Sequence, residues 1–366
     1  MSVGQVLLIA GAVIGLSCAS SVAVIAIAKV RRGRAGVRSG ALLAPYRGAL
    51  IVLASGEDED GQARAALYAV PGPTWDHLRA SVVAFLSKVR GTPAEDLGQL
   101  LRSHGEIERA TRMLTSRSAV RRARAAYLLG LVRDPDSAAL VLPLLGDPDA
   151  EVRLVAARAL GAIGEPAAAS AVLHALRTHH GQIGLPAWVA AEALLAMGVE
   201  ILPALRIDLA SDDPAVRNVC ALVAGLGTFP VTAPQLRTLL ATDSEGDVRA
   251  SAAVALGRVG GAEDVAVLAR HTDASETTVL RRTCATALGE LGQRDSLATL
   301  AGLLGDGDRR LGQLAADSMV RIGFEGIARL EDVAATTRQD PGARAARGAL
   351  DLARLRGQLG LSAGGS

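Results

Sequence analysis

The chain has 366 residues, a formal net charge of +2, and only eight aromatic side chains although half of its residues are hydrophobic. The apolar content is therefore mainly Ala, Leu and Val, which argues against β-sandwiches and barrels because strands favour aromatic and β-branched residues. Three scattered cysteines exclude a disulfide framework, and the near-neutral charge gives no electrostatic basis for binding nucleic acid. The mean hydropathy of +0.30 is high for a soluble protein and indicates a membrane segment.

The N-terminal segment predicts one transmembrane helix over 1–28. Residues 2–28 carry no charged side chain and would form a helix about 40 Å long, whereas a bilayer core needs about 30 Å. Six cationic residues come next, before the first acid, which places the N-terminus outside and the rest of the chain in the cytoplasm. They are Lys29, Arg31, Arg32, Arg34, Arg38 and Arg47.

Two other kinds of N-terminal signal fit less well. A cleaved signal peptide carries its positive charges before the apolar core, whereas here they lie after it. A lipoprotein signal would have a Leu-like residue three positions before the modified cysteine, and Gly15 stands there before Cys18.

Residues 29–61 are predicted to form a juxtamembrane linker that is first basic and then acidic. The basic part would attract anionic lipid headgroups, by about 1 kcal/mol for each cationic residue near the surface. The acidic part, Glu57 to Asp60, is interpreted as a solvated loop, because consecutive side chains diverge too much to share a metal ion.

Residues 62–117 are predicted to form a helical cap at the N-terminal end of a repeat region that begins at residue 118. Apolar residues lie on one face of a helix between Pro73 and Arg90. Thr92 to Glu95 has the pattern of a capping box with proline at the first helical position, and Glu106 begins a further helix.

The region 118–356 is a repeat with steps of 30 to 34 residues, each step holding two predicted antiparallel helices. In one unit, residues 152–163 include an apolar stripe at helical spacing, Asp147-Pro148-Asp149 precedes it and can cap its start, and Gly164 ends it. A single helix pair cannot bury both of its faces, so the pairs are expected to stack into a solenoid. After 356 the chain becomes rich in Gly and Ser, and 357–366 is predicted to be a flexible tail.

The repeated phrase Val-Arg, then Ala-Ala-x-Ala-Leu-Gly-x-x-Gly, resembles the HEAT repeat, in the short variety found in phycobiliprotein lyases. The strongest copies are at 152–164, 248–260 and 280–292. The resemblance implies an all-α fold, a right-handed α-solenoid of about seven HEAT-like helix pairs, here preceded by one transmembrane helix. It also implies a ladder in which an arginine of each first helix pairs with an aspartate in a loop between repeats.

The candidate ladder consists of arginines at one equivalent position of the repeats and aspartates in the loops before first helices. The arginines are Arg122, Arg153, Arg217, Arg249 and Arg281, and the aspartates are Asp147, Asp213, Asp243 and Asp306. The alternative interpretation is that the arginine row binds an acidic partner.

No catalytic, cofactor-binding or metal-binding residue is predicted. None of the six histidines is followed by Glu, as it is in HEAT-like iron hydroxylases, and no Gly-rich phosphate loop is present. Adjacent His179 and His180 could bind a metal ion, but a solvated loop explains them more simply.

The function predicted from this organisation is a membrane-tethered cytoplasmic scaffold that binds a protein partner, chiefly through surface positions of the second helices. The layout is similar to that of membrane-anchored bacterial HEAT proteins, which accompany membrane glycosyltransferases of polysaccharide export. That resemblance implies such an enzyme as the partner. The alternative is a HEAT-like lyase or another enzyme built on the repeats.

Overall fold

The computed structural model describes residues 43–177, 184–336 and 339–362, with side chains described as far as 357. Within these ranges every regular element is a helix, as the composition predicts. The chain divides into two compact units, Met1–Arg112 and Met113–Ser366. The predicted membrane span at 1–28 and the basic residues up to Arg38 lie outside the described residues.

The first unit is built from short helices joined by tight turns. They are α1 (Leu43–Ser55), α2 (Gln62–Tyr68), α3 (Gly72–Leu86), α4 (Thr92–Ser103) and α5 (Glu106–Met113). At its centre the ring of Trp75 stacks on that of His104, with centroids 3.7 Å apart. The Trp75 indole also donates a hydrogen bond of 3.0 Å to the buried carboxylate of Glu106. One aromatic pair therefore joins the start of α3 to the turn between α4 and α5.

Helix α1 corrects the predicted linker at 29–61, because an ordered helix occupies part of it. Leu43, Leu50 and Leu53 are buried and recur at helical spacing, so this segment has an apolar face that packs within the first unit. The linker was predicted only from its charged residues, and these do not reveal the apolar face of the helix.

The two loops next to these helices differ in how well they were predicted. The acidic loop is ordered by Asp58, whose carboxylate accepts hydrogen bonds from the backbone of Ala63 and Arg64 at 2.9 Å and so caps α2.

The capping box predicted at Thr92 is wrong. The N-cap is Gly91, at φ 66°, so Thr92 is already inside the helix and makes no side-chain cap.

The second unit consists of seven helix pairs in the described residues and one further helix after them. The first helices are α6 (Ala119–Val132), α8 (Ala150–Ile163), α10 (Ala187–Met197), α12 (Pro214–Leu226), α14 (Gly246–Val259), α16 (Thr278–Leu291) and α18 (Arg309–Ile322). The second helices are α7 (Ala138–Val141), α9 (Ala169–His174), α11 (Leu202–Asp208), α13 (Ala233–Thr242), α15 (Val265–Arg270), α17 (Ser296–Leu303) and α19 (Phe324–Ala334). The chain ends in α20 (Pro341–Ser362).

Local signals begin and end these helices as the sequence predicts. The side chain of Asp149 accepts hydrogen bonds from the backbone of Glu151 and Val152 at the start of α8. Gly164 ends the same helix at φ 80°, a left-handed conformation that costs a glycine little. Short 3₁₀ turns lead into many of the second helices, for example Pro166–Ala168 before α9.

Each first helix packs against the next, and at five of the six junctions a glycine lies against the backbone of the next helix. A Cβ on Gly130 would stand 2.7 Å from the Cα of Ala159, and a Cβ on Gly161 would stand 2.7 Å from the Cα of Ala193. The same relationship recurs at Gly225–Ala255, Gly257–Ala287 and Gly289–Ser318. Any larger side chain would push two backbones apart, so these glycines, called the repeat glycines below, set the spacing between repeats.

The C-terminal end differs from the predicted flexible tail at 357–366. Helix α20 continues to Ser362, well into that segment. Its sequence is rich in Ala, Leu and Arg, which are strong helix formers and outweigh the glycines between them. Only 363–366 lie outside the described residues at this end of the chain.

Candidate functional site

The arginine ladder is present, and its strongest members are bidentate. Arg122 donates to both oxygens of Asp147 at 2.7 Å, and Arg217 donates to both oxygens of Asp243 at 2.7 and 2.9 Å. Arg281 reaches Asp306 at 2.5 Å. Each pair joins the first helix of one repeat to the loop before the next first helix, so the ladder crosses the junctions between repeats.

The same arginines also hold the loop that precedes their own helix. Arg122 donates to the carbonyl of Ser116 and Arg217 to that of Ser211, both at 2.8 Å and both six residues back. Arg153 makes the equivalent bond to the carbonyl of Asp147 at 2.8 Å. One guanidinium therefore ties three segments together, which explains why arginine rather than lysine recurs at this position.

Two residues predicted to belong to the ladder, Arg249 and Asp213, form ion pairs with residues outside the predicted set. Arg249 pairs with Glu276 at 3.4 Å, and Glu276 also contacts the ring of His271 at 2.7 Å. Asp213 pairs with Arg177, which lies just after α9, at 3.1 Å. The loop that would hold a partner for Arg153 includes 178–183, which lie outside the described residues.

Pairing holds the ladder aspartates in their charged form. The hydrogen bond from Arg217 lowers the pKa of Asp243 below its usual value of 3.8, and burial opposes this only in part. Burial raises the pKa of Asp147, but the hydrogen bonds from Arg122 and from the backbone of Asp149 outweigh it and the net shift is downward. The paired guanidinium groups are thereby committed to structure, which supports the ladder interpretation over a row of free arginines.

The described side chains offer no obvious reaction centre. Among them, no group of three or more His, Cys, Asp or Glu residues is placed to hold a metal ion. Cys220 and Cys284 are buried, and burial raises the pKa of both thiols, that of Cys284 to about 12. A thiol in that state is a poor nucleophile. His174 lies exposed on α9, whereas His179 and His180 fall outside the described residues.

The more informative surface is the exposed side of the first helices, which we call the first-helix face. Its apolar members are Val120, Tyr127, Trp188, Leu222, Leu226, Val254 and Val279, and its main charged members are Arg158, Glu192, Arg258, Glu290 and Arg321. Tyr127, Arg158, Glu192, Leu222 and Val254 occupy the same position of successive repeats, three residues before the repeat glycine or its equivalent. They form a row that crosses five repeats.

The middle of this face is apolar and carries the exposed tryptophan. Trp188 is 59% exposed, and the guanidinium of Arg158 lies 5.1 Å from its ring centroid. Arg158 also pairs with Glu192 at 3.2 Å. Leu222 and Val254 continue the row on α12 and α14, so three consecutive first helices present large apolar side chains to solvent.

The C-terminal part of the face is polar and internally paired. Glu290 lies 3.6 Å from both Arg258 and Arg321, and Arg282 is bidentate to Asp308 at 2.7 Å. A shallow groove of about 240 Å³ lies between these residues and Val254. The two charged residues that line the groove, Arg282 and Glu290, are each paired within the chain, whereas Arg310 on α18 is exposed and makes no ion pair among the described residues.

The second helices, which the sequence predicts to carry the binding surface, are less suited to it. Their exposed apolar residues, including those of the adjoining 3₁₀ turns, are Leu140, Val199, Ile207, Val231 and Phe324. These residues do not all occupy one position of the repeat, whereas three first helices have an exposed apolar residue at the same position, Tyr127, Leu222 and Val254. The prediction missed this row because a repeated Ala-Ala-x-Ala-Leu-Gly phrase reports only the buried side of its helix.

Comparison with protein families supports the repeat assignment. A sequence model for HEAT repeats matches residues 107–194 and 201–282. These residues are HEAT repeats. The match includes the strong copy at 152–164 and agrees with the helix pairs of the second unit. No curated protein sequence matches the chain.

Several solved structures are similar to the chain, all at low sequence identity and with TM-scores below 0.5. An engineered protein is 18% identical, with 84% of this chain and 89% of that chain covered and a TM-score of 0.35. A mutant of Kap121p is 11% identical, with 74% and 34% covered and a TM-score of 0.49. The CpcE–CpcF phycocyanin lyase of Nostoc sp. PCC7120 is 20% identical, with 67% and 86% covered and a TM-score of 0.30.

The described helices were compared with the length and apolar character that a membrane-spanning helix needs. No single helix in 43–177, 184–336 and 339–362 has both the length and the apolar character to cross a bilayer. The bent pair Ala187–Met197 and Val199–Asp208, with an angle of 111°, meets the criteria of length and composition together.

Proposed function

We propose that the protein is a scaffold whose first-helix face binds a protein partner, and that it acts by binding rather than by catalysis. The observation that carries this proposal is a set of exposed apolar side chains on first helices α6, α10, α12 and α14, namely Tyr127, Trp188, Leu222 and Val254, which we call the apolar row. Exposed aromatic and aliphatic side chains that adjoin one another are typical of docking surfaces.

The ladder supports the same proposal because it makes the surface rigid. Arg122–Asp147, Arg217–Asp243 and Arg281–Asp306 hold consecutive repeats at a set distance from one another. A partner that meets a preorganised row loses less of its binding energy to the ordering of the scaffold.

The proposed location is the cytoplasmic side of a membrane, with residues 1–28 as the anchor and the basic run from Lys29 to Arg47 against anionic lipid. This rests on the uncharged 27-residue segment and on the position of the charges after it. Tethering would raise the effective concentration of the repeats near a membrane partner. The partner proposed on the resemblance in layout is a membrane glycosyltransferase of polysaccharide export.

Site-specific photo-crosslinking in the cells that make the protein tests the scaffold. A photoreactive amino acid is placed at Leu222 or Val254, and at Ile207 as the control, since Ile207 is 73% exposed but lies on a second helix. We expect one cross-linked protein, identified by mass spectrometry, from both first-helix positions and not from Ile207. Absence of a product at both positions, or the same products at all three, would contradict the proposal.

The enzyme alternative makes the opposite prediction. A single substitution of a His, Asp or Glu outside the ladder should then abolish function while the fold and the cross-linked product are retained. No particular residue of the described chain favours this alternative, and the resemblance to a phycocyanin lyase is one of fold only.

A further inference from the structure

The first repeat carries a positive charge that the ladder does not use. Helix α6 and the residue before its N-cap contain Arg117, Arg121, Arg122 and Arg124, and no acidic residue lies between 117 and 132. Arg122 is committed to Asp147. The other three are exposed and make no ion pair among the residues that the structure describes.

One of these arginines, Arg124, lies on the same side of α6 as its exposed apolar residues, and Arg121 borders that side. Val120, Arg124 and Tyr127 are four and three residues apart and share a helix face, whereas Arg121 lies three residues before Arg124 and about 100° around the helix from Val120. The position that is Arg121 in this repeat is a buried apolar residue in later ones, such as Val152 and Val216. A cation at an apolar position of the repeat is the feature that sets α6 apart.

The first-helix face therefore changes in character from one end to the other. It has unpaired arginines at α6, large exposed apolar side chains beside the Arg158–Glu192 pair from α10 to α14, and mostly paired charges from α14 to α18, where Arg310 is the exception. A chain lying across the repeats would meet uncompensated positive charge first and large apolar side chains next.

The spacing of the repeats sets the spacing of the complementary groups. Packed helices are about 8–10 Å apart, so α6 and α10, with α8 between them, are about 16–20 Å apart. An extended peptide advances about 3.3–3.6 Å per residue and would cover this distance in about five or six residues. Each further step, to Leu222 and then Val254, takes about three residues.

We propose that the partner segment is an acidic–apolar peptide. Its acidic cluster binds Arg121 and Arg124, and its apolar residues, beginning about five or six residues away and repeating about every three, pack on Trp188, Leu222 and Val254. This inference rests on the proposed scaffold function and adds the chemistry of the partner. Charge complementarity selects an acidic segment, and the apolar row distinguishes it from a simple polyanion.

The test measures binding of a fluorescent synthetic peptide to the full-length protein in a mild non-ionic detergent, by fluorescence anisotropy. The peptide has four acidic residues, five Ser or Gly residues, and then three leucines at intervals of three. Two comparison peptides are a scrambled version and a version with lysine in place of the acids. We expect the designed peptide to bind at least about tenfold more tightly than either, and more weakly as salt rises.

Paired variants identify the surface. R121E/R124E should weaken binding of the designed peptide by at least about tenfold. The matched control R206E/R270E reverses two exposed arginines of the second helices and should leave the affinity unchanged. Leu222→Ser should also weaken binding, whereas Ile207→Ser should not. Circular dichroism of each variant separates loss of binding from loss of folding.

Three outcomes would overturn the inference. The scrambled peptide could bind as well as the designed one, which would mean attraction to any polyanion. R206E/R270E could weaken binding as much as R121E/R124E does. Finally, the partner cross-linked at Leu222 could still be captured by R121E/R124E and lack an acidic–apolar segment. That result would contradict the proposed partner chemistry and would leave the scaffold function supported.

Discussion

A Cβ on Gly257 would stand 2.8 Å from the Cα of Ala287 on the next first helix. The neighbouring atoms belong to a backbone and cannot rotate away, so the absence of a side chain at Gly257 is what allows the two helices to meet. The same relationship at four other junctions makes it a property of the repeat rather than of one site.

Gly257→Ala should therefore destabilise the protein although alanine is the better helix former. Overpacking a closely packed site costs about 1–3 kcal/mol, which exceeds the gain in helix propensity of up to about 1 kcal/mol. The matched control is Gly302→Ala in α17, where a Cβ meets nothing within 4 Å. That change should be neutral or stabilising by up to about 1 kcal/mol in urea unfolding. Equal effects of the two substitutions would contradict close packing at the repeat glycines.

The ladder and its neighbours should make stability depend on pH in the acid range. The hydrogen bonds from Arg282 lower the pKa of Asp308 to about 2. A carboxylate with a lowered pKa stabilises the fold above its unfolded pKa of about 3.8 and loses that contribution as pH falls through its folded pKa. Asp308→Asn should thus be less stable than the wild type at pH 7, and the difference should shrink between about pH 4 and pH 2.

Urea unfolding at several pH values measures that difference. The control is Asp212→Asn, which removes an exposed carboxylate that makes no ion pair in the described part of the chain and should change stability at pH 7 by less than about 0.5 kcal/mol. A difference for Asp308→Asn that stays constant with pH would mean that the pair with Arg282 does not form in solution.

Damage to one repeat should begin locally. Leu256 is fully buried in α14, and truncation to Ala should cost about 2–5 kcal/mol. Because each repeat contacts mainly its neighbours, hydrogen exchange should rise first in 248–310 and less in distant repeats. Val254→Ala, a truncation of a partly exposed residue on the same helix, should change stability by less than about 0.5 kcal/mol. Uniform loosening of every repeat in the Leu256 variant would argue against linear stacking.

The predicted membrane topology can be measured directly. A reporter fused after Ser366 should be cytoplasmic, because the cationic residues after the apolar segment retain that side. Replacing Lys29, Arg31, Arg32, Arg34 and Arg38 with Asn should weaken or reverse this preference. A wild-type reporter found outside the cell would refute the orientation, and one released from the membrane would refute the anchor.

The parts of the site that sequence alone could predict are those repeated along the chain. Arg122, Arg217 and Arg281 were assigned to the ladder from their equivalent positions, and each pairs with the predicted aspartate. The partner of Arg249 could not be found in this way. The loop before α16 has Ser275 at the position where the loops before α8, α14 and α18 have Asp147, Asp243 and Asp306, and of its two acids, Asp273 and Glu276, it is Glu276 that pairs with the arginine. Loop conformation decides between such neighbouring acids, and it has no period in the sequence.

The sequence by itself determined the repeat, its helix pairs and their caps, because a helical stripe, an Asp at the start and a Gly at the end are local signals read within one unit. Only the tertiary structure decided which surface is available for binding. Exposure depends on what the neighbouring repeats cover. Trp188 and Leu222 are exposed because the contact between first helices is made by glycine and alanine on another side of each helix. Helix α1 was not predicted for the same reason. Its segment was identified only by its charges, whereas the helix packs through Leu50 and Leu53, which are buried by other parts of the chain.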